Sequence, residues 1–340
     1  MTRVLVTGAG GYIGTTLIPM LLHEGYAVRA VDRFFFGRQF LPEHERLEVV
    51  VEDSRKLAPE HFEGVDAVID LVSISNDPSG ELFQEATLHI NCDSRVRAAR
   101  LAKETGAQRY ILPSSCSVYG FQENAFISDE SSPTNPLTTY ARANEMAEQG
   151  TLSLADERFC VVALRQATVY GLSPRMRFDL AINGMTYGAW KTGRLPLMRD
   201  GTQWRPMVHV QDTARALMFM LETDSAKVNG QIFNVGSTDN TYQIGPLGQV
   251  VARCIPKDIE IEWYGNPDQR SYRVAFDKIE ELGYHTEKTA ADGVAEICEA
   301  LEAGTIDKTT QTITLEWYKE LVRWHGIIRE VEMYGGIVEI

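Results

Sequence analysis

The chain lacks what a disulfide frame or a metal centre would need. Its five cysteines, Cys92, Cys116, Cys160, Cys254 and Cys298, are odd in number, scattered and nowhere spaced as C-x-x-C. That pattern argues against both a disulfide scaffold and a zinc site. No apolar run approaches a membrane span. The first strand-like run starts three residues after Met1, too close for a signal peptide, so the expected setting is the reduced cytoplasm. Positive charge is also short: 33 Lys and Arg face 47 Asp and Glu, leaving −14 over 340 residues. Such a surface repels phosphate backbones, which excludes nucleic acid and anionic membranes as partners. Repeats, low-complexity tracts and flexible linkers are missing too.

What is present is concentrated at the start. Val4-Leu5-Val6-Thr7 reads as a buried strand and passes into Gly8-Ala9-Gly10-Gly11-Tyr12-Ile13-Gly14, then into a helical pattern ending near Gly25. Glycines spaced three apart between a strand and a helix suit a dinucleotide pyrophosphate. Gly8 permits the sharp turn, Gly11 lets backbone approach phosphate, and Gly14 lets the helix pack on the strand. The helix start then offers free N–H groups to the anion. A second strand pattern, Ala27 to Val31, ends in Asp32. A carboxylate there accepts the ribose hydroxyls of NAD and repels the 2′-phosphate of NADP, so NAD is the expected cofactor. Arg33 follows it and is the one nearby group able to neutralise such a phosphate.

Strand-like runs recur at Leu47 to Val51, Val65 to Val72, Arg109 to Leu112 and Cys160 to Leu164, with helical patterns at Glu81 to Thr105 and Tyr140 to Ala155. Alternation of this kind predicts an α/β fold with a doubly wound parallel sheet. The expected division is a Rossmann domain over 1–170, a smaller interleaved substrate lobe over 171–311 and a helical extension over 312–340. In that extension Trp317, Leu321 and Trp324 share one helical stripe, expected to dock on the core. Between Arg165 and Arg205 seven Lys and Arg face two acids, a local excess of five that suggests an anion-binding wall.

Two further segments carry chemistry: Pro113-Ser114-Ser115-Cys116-Ser117-Val118-Tyr119-Gly120, and Tyr140 at the start of a helix. Together with the glycine loop, Asp32, Asp53, Leu164-Arg165, Val169-Tyr170-Gly171, Arg205, Val208 to Asp212, Asn234-Val235-Gly236 and Arg270, they resemble the extended short-chain dehydrogenase/reductase family. Within it, the enzymes acting on nucleotide-diphosphate sugars are the nearest in pattern, and the resemblance covers nearly the whole chain. It implies that Tyr140 is the general acid/base facing a sugar hydroxyl and that Ser115 hydrogen-bonds the same oxygen. The chemistry fits: hydride leaves a secondary alcohol only if the O–H proton leaves too, and a positioned phenol can take it. The implied cofactor residues are Gly8, Gly11, Tyr12, Ile13, Gly14, Asp32, Arg33, Asp53, Ser54, Leu71, Tyr140 and Asn144. The implied substrate residues are Ser115, Cys116, Thr168, Arg175, Asn183, Arg205 and Arg270, with Arg205 and Arg270 clamping the pyrophosphate. Ser173 to Asp179 and Pro267 to Tyr272 look most like oxidoreductases of nucleotide-linked heptoses and related sugars.

The sequence departs from the family at one place. The Tyr-x-x-x-Lys pattern reads Tyr140-Ala141-Arg142-Ala143-Asn144. Asn144 can still hydrogen-bond ribose hydroxyls but brings no charge to favour the phenolate, so the Tyr140 phenol is expected to titrate near its ordinary value. Sugar 4,6-dehydratases carry Asp-Glu where this chain has Cys116 and Ser117, which speaks against dehydration. The resulting expectation is an NAD-dependent nucleotide-sugar epimerase working through a C4 keto intermediate. A 4-dehydrogenase, a 4-keto reductase, or an NAD-binding regulatory protein with weakened catalysis are the alternatives. A homodimer is expected, pairing the helices around Asn91 to Lys103 and Tyr140 to Ala155 across a two-fold axis.

Overall fold

Seven parallel strands form the central sheet of the computed structural model, which describes residues 2–121, 126–266 and 270–331. In chain order the strands are β1 (Arg3–Thr7), β2 (Ala27–Asp32), β3 (Leu47–Val51), β4 (Ala67–Asp70), β5 (Arg109–Ser115), β6 (Ile127–Ser128) and β7 (Cys160–Gln166). They continue with β8 (Thr168–Tyr170), β9 (Arg194–Met198), β10 (Trp204–His209), β11 (Gln231–Val235), β12 (Thr241–Gln243), β13 (Glu260–Tyr264) and β14 (Arg273–Val274). The sheet order is β11-β7-β5-β4-β1-β2-β3. β1 therefore has β2 on one side and β4 on the other, and the chain reverses direction across the sheet there. In doubly wound folds ligands bind outside the carboxyl ends of the strands at that switch point. β1, β4 and β7 are almost all Val, Ile, Leu and Ala between their ends, β5 carries Tyr110, Ile111 and Leu112, and all four are buried along most of their length, as parallel strands covered on both faces must be.

The larger helices are α1 (Gly14–His23), α2 (Asp77–Leu82), α3 (Gln84–Leu88), α4 (Ser94–Glu104), α5 (Thr139–Leu152) and α6 (Ala181–Thr192). They are followed by α7 (Val210–Glu222), the short α8 (Ser225–Val228), α9 (Ile244–Cys254), the short α10 (Asp277–Glu280), α11 (Ala290–Glu302) and α12 (Thr314–Val331). Glu81 to Thr105 is not one helix as the periodicity predicts. It breaks into α2, α3, a π-helical turn over His89–Asp93 and α4. The cause is Asn91, buried in that turn, whose amide holds both the N–H and the C=O of Ile74 at 2.8 and 3.0 Å. This ties the helix to the loop leaving β4. Gly106, with φ of 92°, ends α4.

A second lobe is built from the small sheets β12-β10-β8 and β13-β9, packed with α6, α9 and α11 around Ile182, Leu195, Leu197, Leu247 and Val294. The chain returns to the main sheet through β11, where Gln231 pairs with Val162. The terminal helix docks by its first turns only: the Trp317 indole donates to the Phe35 carbonyl at 2.7 Å, and the Tyr318 ring lies 5.8 Å from that of Phe36. Trp324, expected on the buried stripe, is half exposed.

α5 is fixed to β7 by a buried ion pair. Glu148 receives the Arg165 guanidinium at 2.7 and 3.0 Å, both side chains almost wholly out of solvent, and also accepts from the Ser114 hydroxyl. Removing one partner of such a pair strands a charge in low dielectric. Glu148→Ala is therefore expected to cost about 3–5 kcal/mol in urea unfolding. The apolar pair Glu148→Leu with Arg165→Met should recover most of that loss, and an unchanged midpoint in the single variant would show the pair to be dispensable.

Candidate active site

The glycine loop is packed as tightly as backbone permits. A Cβ on Gly8, whose φ is 64°, would stand 2.6 Å from the Leu71 carbonyl carbon at the end of β4. One on Gly14 would stand 2.5 Å from the Ala9 carbonyl oxygen. α1 has Ile13 at its N-cap, with no side-chain cap and no acid in its first turn, which leaves the Ile13 and Gly14 N–H groups for an anion. The Tyr12 hydroxyl donates to the Gly171 carbonyl at 2.5 Å and so ties the loop to the second lobe.

Asp32 sits at the end of β2 and accepts from the N–H groups of Gly10 and Phe34 at 3.0 and 2.6 Å. Burial raises its pKa, and those backbone donors pull it the other way. Arg33 does not turn toward it but pairs with Asp53 at 3.0 Å. Asp53 also takes both ends of the Arg55 fork, which holds its carboxyl well below the usual carboxylate range. Ser54 is buried with its hydroxyl 3.1 Å from that of Ser94. An uncapped helix start, a glycine cradle that a Cβ would fill and a strand-end carboxylate fit a dinucleotide. Arg33, the cation next to Asp32 in sequence, is already engaged by Asp53.

β5 runs to Ser115, longer than the apolar run predicts, and delivers the Ser115 hydroxyl to the carboxyl edge of the sheet. Tyr140 comes from the first turn of α5, whose start is capped by Thr138, the hydroxyl accepting from the Ala141 N–H at 3.1 Å. Thr138 in turn donates to Asp77 at 2.6 Å, and Glu81 accepts from the Thr139 N–H at 2.6 Å. Desolvation raises the Tyr140 phenol above its ordinary value, and the negative charge of Asp77 adds to it. Hydrogen bonding from Ser115, the charge of Arg95 and hydrogen bonding from Asn144 act against them. Loss of the lysine is thus not the whole account of this phenol, because burial moves it further than the missing charge alone implies.

The residues expected on the substrate side divide. Arg205 lies over the Tyr272 ring at 5.2 Å and donates to the carbonyls of Trp204 and Arg270. Arg270 pairs with Asp77, so both arginines stand on the rim shared with the start of α5. Thr168 is on β8 beside β10, the strand that carries Arg205. Cys116 is fully buried, its thiol turned to the Arg165 carbonyl at 3.2 Å and pushed well up by burial.

Two of the expected substrate residues are not brought to that rim. The Arg175 guanidinium stacks 3.5 Å from the Phe36 ring centre, on the Asp32 side. The Asn183 amide spends its bonds on Gly171, Tyr12 and Arg177. The basic stretch is likewise not one wall. Arg165, Arg177, Lys191 and Arg194 each face an acid, namely Glu148, Asp179, Asp307 and Glu260. Pro267, Asp268 and Gln269 lie outside the described residues.

Sequence reasoning missed Asp77 and Arg95. Arg95 had a visible signal: it interrupts the small-residue face Ala98, Ala99 and Ala102 of α4, continued by Cys92 in the turn before it, where a cation has no reason to sit unless something needs it. Asp77 had none, since its partner Arg270 is nearly two hundred positions away. With its charge raising the phenol, Asp77→Asn is expected to lower the pH at which Tyr140 ionises. An alkaline ultraviolet difference titration against Tyr140→Phe reads this, and an unmoved or raised midpoint would contradict it.

A sequence model of the NAD-dependent epimerase/dehydratase family matches residues 4–236. Over 239 residues the chain is 29% identical to UDP-glucuronic acid decarboxylase 1 of Xenopus tropicalis, covering 67% of this chain and 55% of that one. The chain thus spans little more than half the length of that relative. It is 25% identical over 289 residues to a UDP-glucuronate 4-epimerase of Thermodesulfobacterium geofontis, covering 77% and 84%. Among solved structures it resembles MoeE5 in complex with UDP-glucuronic acid and NAD, with a TM-score of 0.79, 26% identity and coverage of 89% and 99%. The cofactor expected from Asp32 is the one that gives the matched family its name. With its glycine cradle, its seven parallel strands and Ser115 beside Tyr140, the chain belongs to the NAD-dependent epimerase/dehydratase family.

Proposed function

We propose that this protein oxidises a nucleotide-diphosphate sugar at C4 and reduces the keto product again, acting as a 4-epimerase with NAD. The observation that carries the reading is the meeting of Ser115 and Tyr140 at the carboxyl edge of the sheet, next to the glycine loop. The similarity to proteins named for UDP-glucuronic acid and UDP-glucose makes a uridine sugar the first substrate class to test.

Gly8, Gly11, Tyr12, Ile13 and Gly14 would hold the pyrophosphate, Asp32 the adenosine ribose and Asn144 the second ribose. When bound, NAD supplies a hydride acceptor that can hand the hydride back. Tyr140 takes the proton from the C4 hydroxyl as hydride leaves and returns it on reduction, while Ser115 donates to the same oxygen and steadies its charge. Arg205 and Arg270 meet the sugar pyrophosphate with planar forks. Cys116 offers no carboxylate, so nothing at that position protonates a ring substituent, and dehydration is not the reaction proposed. Protomers pair through α4 and α5, where Met146 stands half exposed on the outer face, and the setting is the cytoplasm. A dehydrogenase would release NADH at each turnover; an epimerase recycles it.

Three measurements test this. Purified protein incubated with UDP-glucose or UDP-glucuronic acid is expected to give the C4 epimer with no net NADH; stoichiometric NADH release would make it a dehydrogenase. NAD should bind more than tenfold tighter than NADP by calorimetry, a gap of 1.4 kcal/mol or more. Equal affinities would remove Asp32 from its role. Arg205→Ala and Arg270→Ala should each weaken sugar-nucleotide binding by about 1–3 kcal/mol and leave NAD affinity nearly intact; the reverse pattern would show that these residues serve the cofactor.

A further inference from the structure

Asn144 stands one turn after Tyr140 on α5, where the family carries a lysine, and its amide nitrogen donates to the Tyr140 carbonyl at 3.0 Å. Its amide oxygen faces a cation. Arg95 reaches over from α4 and its Nη1 donates to Asn144 Oδ1 at 3.1 Å, while Nη2 donates to the carbonyls of Asp70 and Pro113 at 2.8 and 2.5 Å. A guanidinium can only donate. It therefore fixes which end of the amide faces α4, and turns the NH2 end toward Tyr140.

We propose that Arg95, acting through Asn144, supplies from α4 the positive charge that α5 lacks, and is the positioning residue for Tyr140 in the C4 chemistry proposed above. The inference rests on that reading of Tyr140 as the base.

The guanidinium comes closer to the amide than to its acid partner. Its side chain is almost completely buried, and Nε forms an ion pair with the equally buried Asp70 at 3.9 Å, with no hydrogen bond between them. The Asp70 oxygens are taken instead by the hydroxyls of Thr7 and Tyr110. Arg95 Nε makes no hydrogen bond among the described residues. Arg165 offers the contrast, since both ends of its fork are matched by Glu148. Arg95 instead meets its acid by charge alone and gives its Nη donors to Asn144 and to two backbone carbonyls.

The charged and titratable groups around Tyr140 come from four directions. Asp77 on α2 opposes ionisation and is itself paired with Arg270. Arg95 on α4 favours it, as do Ser115 at the end of β5 and Asn144 on α5. Glu81 and Arg142 are engaged with Thr139 at the start of the helix. Behind Arg95 lie Asp70, Tyr110 and Cys92. Arg95 is thus the cation among the main influences on the phenol. A lysine at 144 would stand against it, so arginine at 95 with asparagine at 144 is one solution and lysine at 144 without Arg95 is another.

The test reads the phenol directly and needs no substrate. In protein loaded with NAD, the Tyr140 midpoint is isolated by alkaline ultraviolet difference titration against Tyr140→Phe. Arg95→Gln is expected to move the midpoint to higher pH, and Asn144→Lys added to Arg95→Gln to bring it back down. Arg95→Lys, which keeps the charge without the fork, should hold it near the wild-type value and serves where Arg95→Gln fails to fold. A midpoint unmoved in Arg95→Gln, or displaced upward in a folded Arg95→Lys, overturns the inference. Turnover of UDP-glucose or UDP-glucuronic acid separates the two claims. Arg95→Gln should lower the neutral rate at least tenfold and move the rising limb of the pH profile upward with little change in KM. Tyr140→Phe that still turns over would overturn the base assignment, whatever the Arg95 titrations show.

Discussion

Two buried arginines attach helix α5 to the parallel sheet, and the geometry of the site depends on that attachment. Arg165 of β7 holds Glu148 near the far end of the helix, and Arg95 of α4 holds Asn144 one turn from its start. Arg95 also grips the carbonyls of Asp70 and Pro113, at the end of β4 and within β5. One guanidinium therefore sets α5 against the same two strands that carry Leu71 and Ser115. A side chain with five donors in a fixed fork can make such a junction where a lysine could not.

That arrangement puts competing electrostatic demands on one phenol. Burial excludes water and favours the neutral hydroxyl, yet proton abstraction needs the charged form within reach. Several separate groups, rather than one, act against burial. A serine hydroxyl, a neutral amide and a buried cation favour ionisation, and an aspartate on the rim resists it. The rim aspartate is itself paired with Arg270, so a ligand that draws Arg270 away would change the field at Tyr140.

On the cofactor side the controlling constraint is steric. Gly8 and Leu71 approach so closely that no side chain fits between them, which brings the turn over the switch point of the sheet. Arg33 is drawn aside by Asp53, while Asp32 is held at the end of β2 by the N–H groups of Gly10 and Phe34. The terminal helix covers the segment after β2 through Trp317 and Tyr318.

The cradle, the order of strands and helices, and the Ser115 and Tyr140 pair were legible in the sequence because each is a local pattern: glycine spacing, apolar runs, a hydroxyl at a strand end, a tyrosine at a helix start. The break in the helix after residue 81 was not legible, because Asn91 acts through a loop seventeen residues away. Nor was the fate of the basic stretch, whose cations are matched by acids as distant as Asp307 and Glu260. Arg175 and Asn183 left the expected rim for the same reason, their partners being set by the packing of the two lobes. The sequence by itself determined the fold class, the cofactor cradle and the missing lysine, since local propensity and spacing suffice for those. Only the tertiary structure decided where a replacement charge comes from, because Arg95 and Asn144 are forty-nine positions apart and meet only when α4 and α5 pack side by side on the sheet.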